Sequence, residues 1–193
     1  MRIEIAKAFL SLEECGVLND WVNIGISESW LDRGSTGFNK TLYRTRLTSR
    51  FYGHRFITPP EVLKISEKVR RFVGVDAYPL AVGHGKDGVV VSCTFSGGDV
   101  YKHVDPPSYQ NLATLRCNVM TQKPEVGGIL YVEDRPVPLD AGDLHCYLVT
   151  EHSHHVTTVG GDTPRILWMF GACVPKEDWN SNRIKFRGEH GVP

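Results

Sequence analysis

The sequence carries no excess of either charge, no long apolar run and no CxxC pair. Acidic and basic residues number 22 each, so no global field draws the chain to nucleic acid or to an anionic membrane. No stretch approaches the roughly 20 consecutive apolar residues that a membrane-spanning helix needs. The opening Met1-Arg2-Ile3-Glu4-Ile5 has neither the apolar segment nor the small-residue cleavage site of a secretory signal. The five cysteines (Cys15, Cys93, Cys117, Cys146 and Cys173) are odd in number and lack metal-ligand spacing. They read as free, mostly buried thiols in a reducing compartment, and the expected location is the cytoplasm. Repeats, low-complexity tracts and obvious linkers are also missing. With 193 residues, the simplest organisation is one domain spanning 1–193 around one substantial core.

What is present divides at about residue 85. Ser11 can cap a helix, with Glu14 three residues on completing a capping box. Leu12, Cys15, Leu18 and Val22 then recur at helical spacing. A second helix is expected after Thr58, with Pro59 and Pro60 in its first turn. Its apolar stripe is Val62, Ile65, Val69 and Phe72, and Gly74 stops it. Between the helices, Thr41 to Phe56 reads as extended and carries Arg44, Arg46, Arg50 and Arg55 without one acidic residue. From about Val89 the pattern becomes short strands between Gly, Pro and Asp turns. Candidates are Val89–Phe95, Leu112–Met120, Ile129–Val132, Asp143–Val149, His154–Val159 and Arg165–Val174. The expected fold is therefore mainly β with N-terminal helices. Residues 86–175 form a double-stranded β-helix (a jelly roll, cupin-like), and residues 1–85 pack on it as helices and an extended segment. Such a barrel opens at one end, a natural place for a metal and small ligands.

Chemistry concentrates at Tyr101-Lys102-His103-Val104-Asp105-Pro106. His103 and Asp105, spaced i, i+2 on a strand, point to one face. About fifty residues later come His154-His155-Val156-Thr157-Thr158-Val159, then Arg165. A third ligand from that distant strand would put two histidines and one carboxylate on one side of a metal. Such a set, with open positions, suits non-haem Fe(II). Arg165 offers a fork for a carboxylate. It opens the apolar run Ile166-Leu167-Trp168-Met169-Phe170, where a buried charge needs a partner.

With these residues in this order, the chain resembles the Fe(II)/2-oxoglutarate-dependent dioxygenases, in particular the compact prolyl-4-hydroxylase-like branch. The resemblance covers roughly Val89 to Cys173, and the Phe9-Leu10-Ser11-Leu12-Glu13-Glu14-Cys15 opening is similar to that branch as well. It implies Fe(II) held by His103, Asp105 and His154, with Arg165 salt-bridged to the co-substrate 2-oxoglutarate. The implied reaction consumes O2 and hydroxylates a C–H bond, with succinate and CO2 as co-products. Three histidines compete for the distal ligand. The family pattern H-x-V-x-x-V fits from His154, whereas an arginine ten residues after the ligand favours His155. A turn absorbs one extra residue, while a strand shifted by one swaps faces, so the choice is His154, then His155, with His152 third. Many relatives carry a tyrosine where Met120 falls; Asn118 or Tyr101 could take over its contact with the co-substrate carboxylate.

For the substrate, Arg116 on the central strand is a candidate. So are Arg44 and Arg46, which share a face with Thr48 and could line an anionic pocket; a charged edge strand is the rival account. The expected substrate is a small molecule or an amino-acid side chain. The alternatives are a base-modifying nucleic-acid oxygenase, with aromatics between Tyr43 and Phe56 stacking bases, and a non-catalytic cupin-like metal-binding module.

Overall fold

The computed structural model describes residues 1–29, 31–33, 46–49, 58–81, 87–107, 109 and 111–187. In chain order the first half gives β1 (Glu4–Ala6), α1 (Leu12–Ser27), β2 (Leu31–Arg33), β3 (Arg46–Ser49) and α2 (Pro60–Val73). The strands β4 (Val89–Thr94), β5 (Val100–His103), β6 (Ala113–Gln122), β7 (Val126–Gly127), β8 (Leu130–Val132) and β9 (Arg135–Val137) follow. The chain continues through β10 (Leu144–Leu148), β11 (His154–Val156), β12 (Val159–Gly160), β13 (Arg165–Val174) and α3 (Lys176–Asn180).

Local chemistry sets the helix ends. The Ser11 hydroxyl accepts from the Glu14 N–H at 3.1 Å and the Glu14 carboxylate accepts from the Ser11 N–H at 2.9 Å, so both halves of the capping box form. Helix α2 has Pro60 in its first turn and stops at Gly74, whose φ of 78° is the left-handed conformation glycine adopts without a Cβ penalty. Val62, Ile65, Val69 and Val73 of α2 are buried, each worth about 1.5–3 kcal/mol of apolar transfer as an upper estimate. Leu12 differs from its expected core place and is 77% exposed. The chain enters α1 through Leu10, which is buried with its N–H bonded to the Gly142 carbonyl, and Leu10 fills that part of the core instead.

Successive strands then alternate between two sheets. The larger runs β1-β10-β6-β13-β4-β3-β2, and the smaller runs β5-β11-β8-β9. The order of visits is β4 large, β5 small, β6 large, β8 and β9 small, β10 large, β11 small and β13 large. That winding is a double-stranded β-helix, and antiparallel pairing throughout makes it a jelly roll. The N-terminal segment does more than pack on the barrel, because β1 pairs with β10 and β3 pairs with β4, extending the larger sheet at both edges. The expected strand His154–Val159 is two pieces, β11 and β12, which pair with different partners, β8 and β7.

Alternation along the larger sheet separates two cores. Val91, Cys117, Val119, Trp168 and Phe170 face outward and pack with Leu18 and Val22 of α1 and Val62 and Val69 of α2. Val90, Met120, Tyr147, Leu167 and Met169 face inward and meet Val100, Leu130, Val132 and Val156 of the smaller sheet. All five cysteines are free and buried. Among the described residues, no helix is long and apolar enough to cross a membrane.

Candidate metal centre

His103 ends β5, and His154 begins β11; the two strands pair so that His154 lies directly opposite His103. Asp105 follows two residues after His103, and its N–H bonds the Val149 carbonyl. One ligand atom from each of His103, Asp105 and His154 lies within 4.8 Å of the others. Asp105 Oδ1 is 3.1 Å from His103 Nε2 and 3.9 Å from His154 Nε2. Each imidazole is oriented by the backbone two residues before it: His103 Nδ1 is 2.7 Å from the Tyr101 carbonyl and His154 Nδ1 is 3.1 Å from the His152 carbonyl. A carbonyl only accepts, so Nδ1 carries a proton on both rings, and Nε2 is the atom each ring would offer to a metal at the shared point. Two imidazole nitrogens and a carboxylate oxygen, converging at these separations, fit a divalent transition metal.

Electrostatics keep the carboxylate ionised. Burial opposes the charge on Asp105, but a hydrogen bond from protonated His103 and the charge of Arg116, joined at the low pH where Asp105 titrates by the charges of protonated His154 and His103, prevail and hold its carboxyl well below the usual carboxylate range. Arg116 pairs with Asp105 Oδ2, the oxygen turned away from the histidines. Burial lowers the His154 imidazole to about 4, so it is neutral at pH 7, as a metal ligand must be.

The other two histidines of the cluster point elsewhere. His155 stacks on Tyr131 with ring centroids 4.9 Å apart, and His152 lies 3.8 Å from Glu133. His154→Ala is expected to cut Mn(II) affinity by more than the ~10–100-fold typical of losing an outer-shell partner. His155→Ala should leave it unchanged and forfeit only the aromatic stack, about 0.5–1.5 kcal/mol. Equilibrium dialysis of the two variants against Mn(II), with thermal melts, checks both.

Arg165 opens β13 and is 1% exposed. Its Nε donates to the Gly128 carbonyl at 3.0 Å, and its Nη2 has no hydrogen-bond partner among the described residues. Among the described residues no carboxylate pairs with it, and burial lowers its guanidinium to about 10. The Gly127-Gly128 turn makes this seat. Gly128 has φ +64°, and a Cβ there would lie 2.6 Å from Pro124 Cγ and 3.1 Å from Arg165 Cδ. Gly128→Ala is therefore expected to cost about 1–3 kcal/mol in backbone strain and to displace the guanidinium. A melt with and without a dicarboxylic acid ligand reads the two effects separately.

The remaining candidates are spread more widely. Asn118 is 2% exposed on the inner face of β6, and its amide nitrogen is 2.9 Å from His145 Nε2. Tyr101 is 43% exposed and stacks on His103, centroids 5.0 Å apart, at the mouth. Arg116 sits against Asp105. Arg44 lies outside the described residues; of Arg46 only the backbone is described, in β3 between β4 and β2. Sequence reasoning does not single out three interior residues. His145 and Tyr147 share the inner face of β10, where alternation in Leu144-His145-Cys146-Tyr147-Leu148 would have put them. Tyr147 meets the His154 ring edge-on at 5.6 Å. Thr94, directly opposite Arg165 on β4, has a buried hydroxyl without a partner.

Neither family models nor curated proteins give a match to the sequence. Solved structures do. A prolyl-4-hydroxylase from Pseudomonas putida is similar at TM-score 0.61 and 15% identity, over 87% of this chain and 91% of that one. The fold is that of the prolyl-4-hydroxylases. A viral collagen prolyl hydroxylase from Paramecium Bursaria Chlorella virus-1, solved as its 2-oxoglutarate complex, is similar at TM-score 0.61 and 20% identity, over 90% and 97%. A Trichoplax adhaerens prolyl hydroxylase in complex with a hypoxia inducible factor peptide gives 0.62 and 17%, over 87% and 83%. The similarity in fold thus extends over 87–90% of this chain.

Proposed function

We propose that this protein is an Fe(II)- and 2-oxoglutarate-dependent oxygenase that hydroxylates a C–H bond of an amino-acid side chain or small molecule. The observation that carries this reading is the convergence of His103, Asp105 and His154 within 4.8 Å in a prolyl-4-hydroxylase fold. These three side chains would hold the iron, which when bound supplies oxygen chemistry coupled to decarboxylation of the co-substrate to succinate and CO2. Arg165 would pair with the distal carboxylate of 2-oxoglutarate; its full burial without an anionic partner among the described residues supports that role. Arg116 holds Asp105 so that one oxygen faces the metal. The inner apolar cluster of Val100, Leu130, Val132, Val156, Leu167 and Met169 keeps bulk water from the site. A side chain of the prolyl type is the favoured substrate, since the similar structures are prolyl hydroxylases. The nucleic-acid alternative rested on aromatic and basic side chains between Tyr43 and Phe56, which lie outside the described side chains.

The test is oxygen-dependent succinate release with Fe(II) and 2-oxoglutarate across a panel of proline-containing peptides and free amino acids, with anaerobic samples as blanks. A substrate that raises succinate and gains one oxygen atom is the expected result. Succinate indistinguishable from the blanks throughout the panel, uncoupled turnover included, would refute the reading.

A further inference from the structure

The barrel interior contains hydrogen-bonding groups that none of the described residues satisfies. Besides Arg165 Nη2 and the Thr94 hydroxyl, they include Nδ1 of His145, a residue 0% exposed. With the Asn118 amide oriented as it is in the structure, the partner of the other ring nitrogen assigns the proton. The Asn118 amide nitrogen, 2.9 Å away, can only donate, so His145 Nε2 accepts and the single proton of the neutral ring sits on Nδ1. The ring is neutral because burial first, and then the nearby charge of Arg165, lowers it to about 3. It is also held in place: Asn118 lies directly across from it on β6, and Tyr147 stacks on it with centroids 6.0 Å apart and planes 13° apart.

His145 Nδ1–H is thus an oriented, buried donor facing the same interior as Arg165. A buried donor without a partner is destabilising unless a ligand supplies an acceptor. One neutral donor and one cation, both unsatisfied, are complementary to a carboxylate, which accepts at both oxygens and brings the missing negative charge. A hydroxyl or ketone would satisfy the imidazole but leave the guanidinium without an anion.

We propose that His145 is a specificity residue for the co-substrate, its Nδ1–H donating to the same distal carboxylate that Arg165 pairs with. The proposal rests on the 2-oxoglutarate reading above and extends it to a residue that neither the H-x-D motif nor the arginine points to. His145 touches the co-substrate and takes no part in bond making. Its contribution is selective for a dicarboxylic 2-oxo acid over one ending in a methyl group.

Two ligands and two variants test this without turnover, by calorimetric titration into Mn(II)-loaded protein. The ligands are 2-oxoglutarate and 2-oxopentanoate, which has the same chain but lacks the distal carboxylate. His145→Gln keeps a group near Nε2 for Asn118 and removes the donor at Nδ1; it is expected to weaken 2-oxoglutarate about 10- to 100-fold, the range for a hydrogen bond to a charged group. Its affinity for 2-oxopentanoate and for Mn(II) should match the parent. His145→Asn places an amide near the Nδ1 position and should bind 2-oxoglutarate close to the parent value. Equal 2-oxoglutarate binding by parent and His145→Gln overturns the proposal alone. So does a loss in His145→Gln that is the same for both ligands, since that marks a general packing role. A parent that binds Mn(II) but not 2-oxoglutarate removes the proposed function, and this inference with it.

Discussion

Arg165→Met is expected to melt higher than the parent protein and to lose its stabilisation by 2-oxoglutarate. A guanidinium buried to 1% exposure gives up its hydration, and the hydrogen bond from Nε to the Gly128 carbonyl offsets part of that cost. Methionine fills similar volume without a charge. Replacing buried ionic groups by well-packed hydrophobes often stabilises by about 1–4 kcal/mol. For a domain of this size each kcal/mol moves the melting temperature by roughly 2–4 °C. The parent should gain about 2.7 kcal/mol when 2-oxoglutarate is present at a hundred times its dissociation constant, and the variant should gain almost nothing. Differential scanning calorimetry with and without 2-oxoglutarate, metal present, measures both. A variant that melts several degrees lower yet still responds to the ligand would show that Arg165 is a structural residue.

The second large effect is expected at Asp105. Asp105→Ala should abolish Mn(II) binding and any iron-dependent turnover, because one of three ligands is gone. It should also destabilise the metal-free protein, toward the lower end of the ~3–5 kcal/mol seen when one member of a buried ion pair is removed. The reason is Arg116, whose side chain is 17% exposed and pairs with Asp105 Oδ2. Asp105→Ala/Arg116→Met should recover much of that stability and none of the metal binding. Urea melts combined with metal titration separate the two roles. If the single variant keeps parental metal affinity, the ligand assignment is wrong; if the double variant is no more stable than the single, Arg116 gains little from this carboxylate.

Much of the barrel was legible in the residues. The strand Arg165–Val174 has the bounds its apolar run suggested, and the capping box at Ser11 and the stop at Gly74 formed as local chemistry dictates. Short strands were harder. Glu4–Ala6 carries too few residues to show a period, and it becomes a strand because β10 offers it an edge. The break between β11 and β12 was hidden for a related reason: Val156 and Val159 are both apolar, but they pair with different strands. The helix Lys176–Asn180 is a single turn buried through Trp179 alone, with the Arg2 guanidinium 3.9 Å from its ring centroid, a contact with the other end of the chain.

The candidate site divides along the same line. By itself the sequence pointed to His103 and Asp105 as a pair, although β5 ends at His103 and Asp105 lies just beyond it, to a histidine-rich strand that follows, and to Arg165 opening a buried strand. Each of these depends on alternation or polarity over a few neighbouring residues. Only the tertiary structure decided that His154 rather than His155 meets Asp105, that Arg116 turns to this candidate metal centre, and that His145 and Asn118 pair inside the barrel. Those outcomes depend on which residues of distant strands stand opposite one another, and cross-strand register is a property of the assembled sheets that no local pattern encodes.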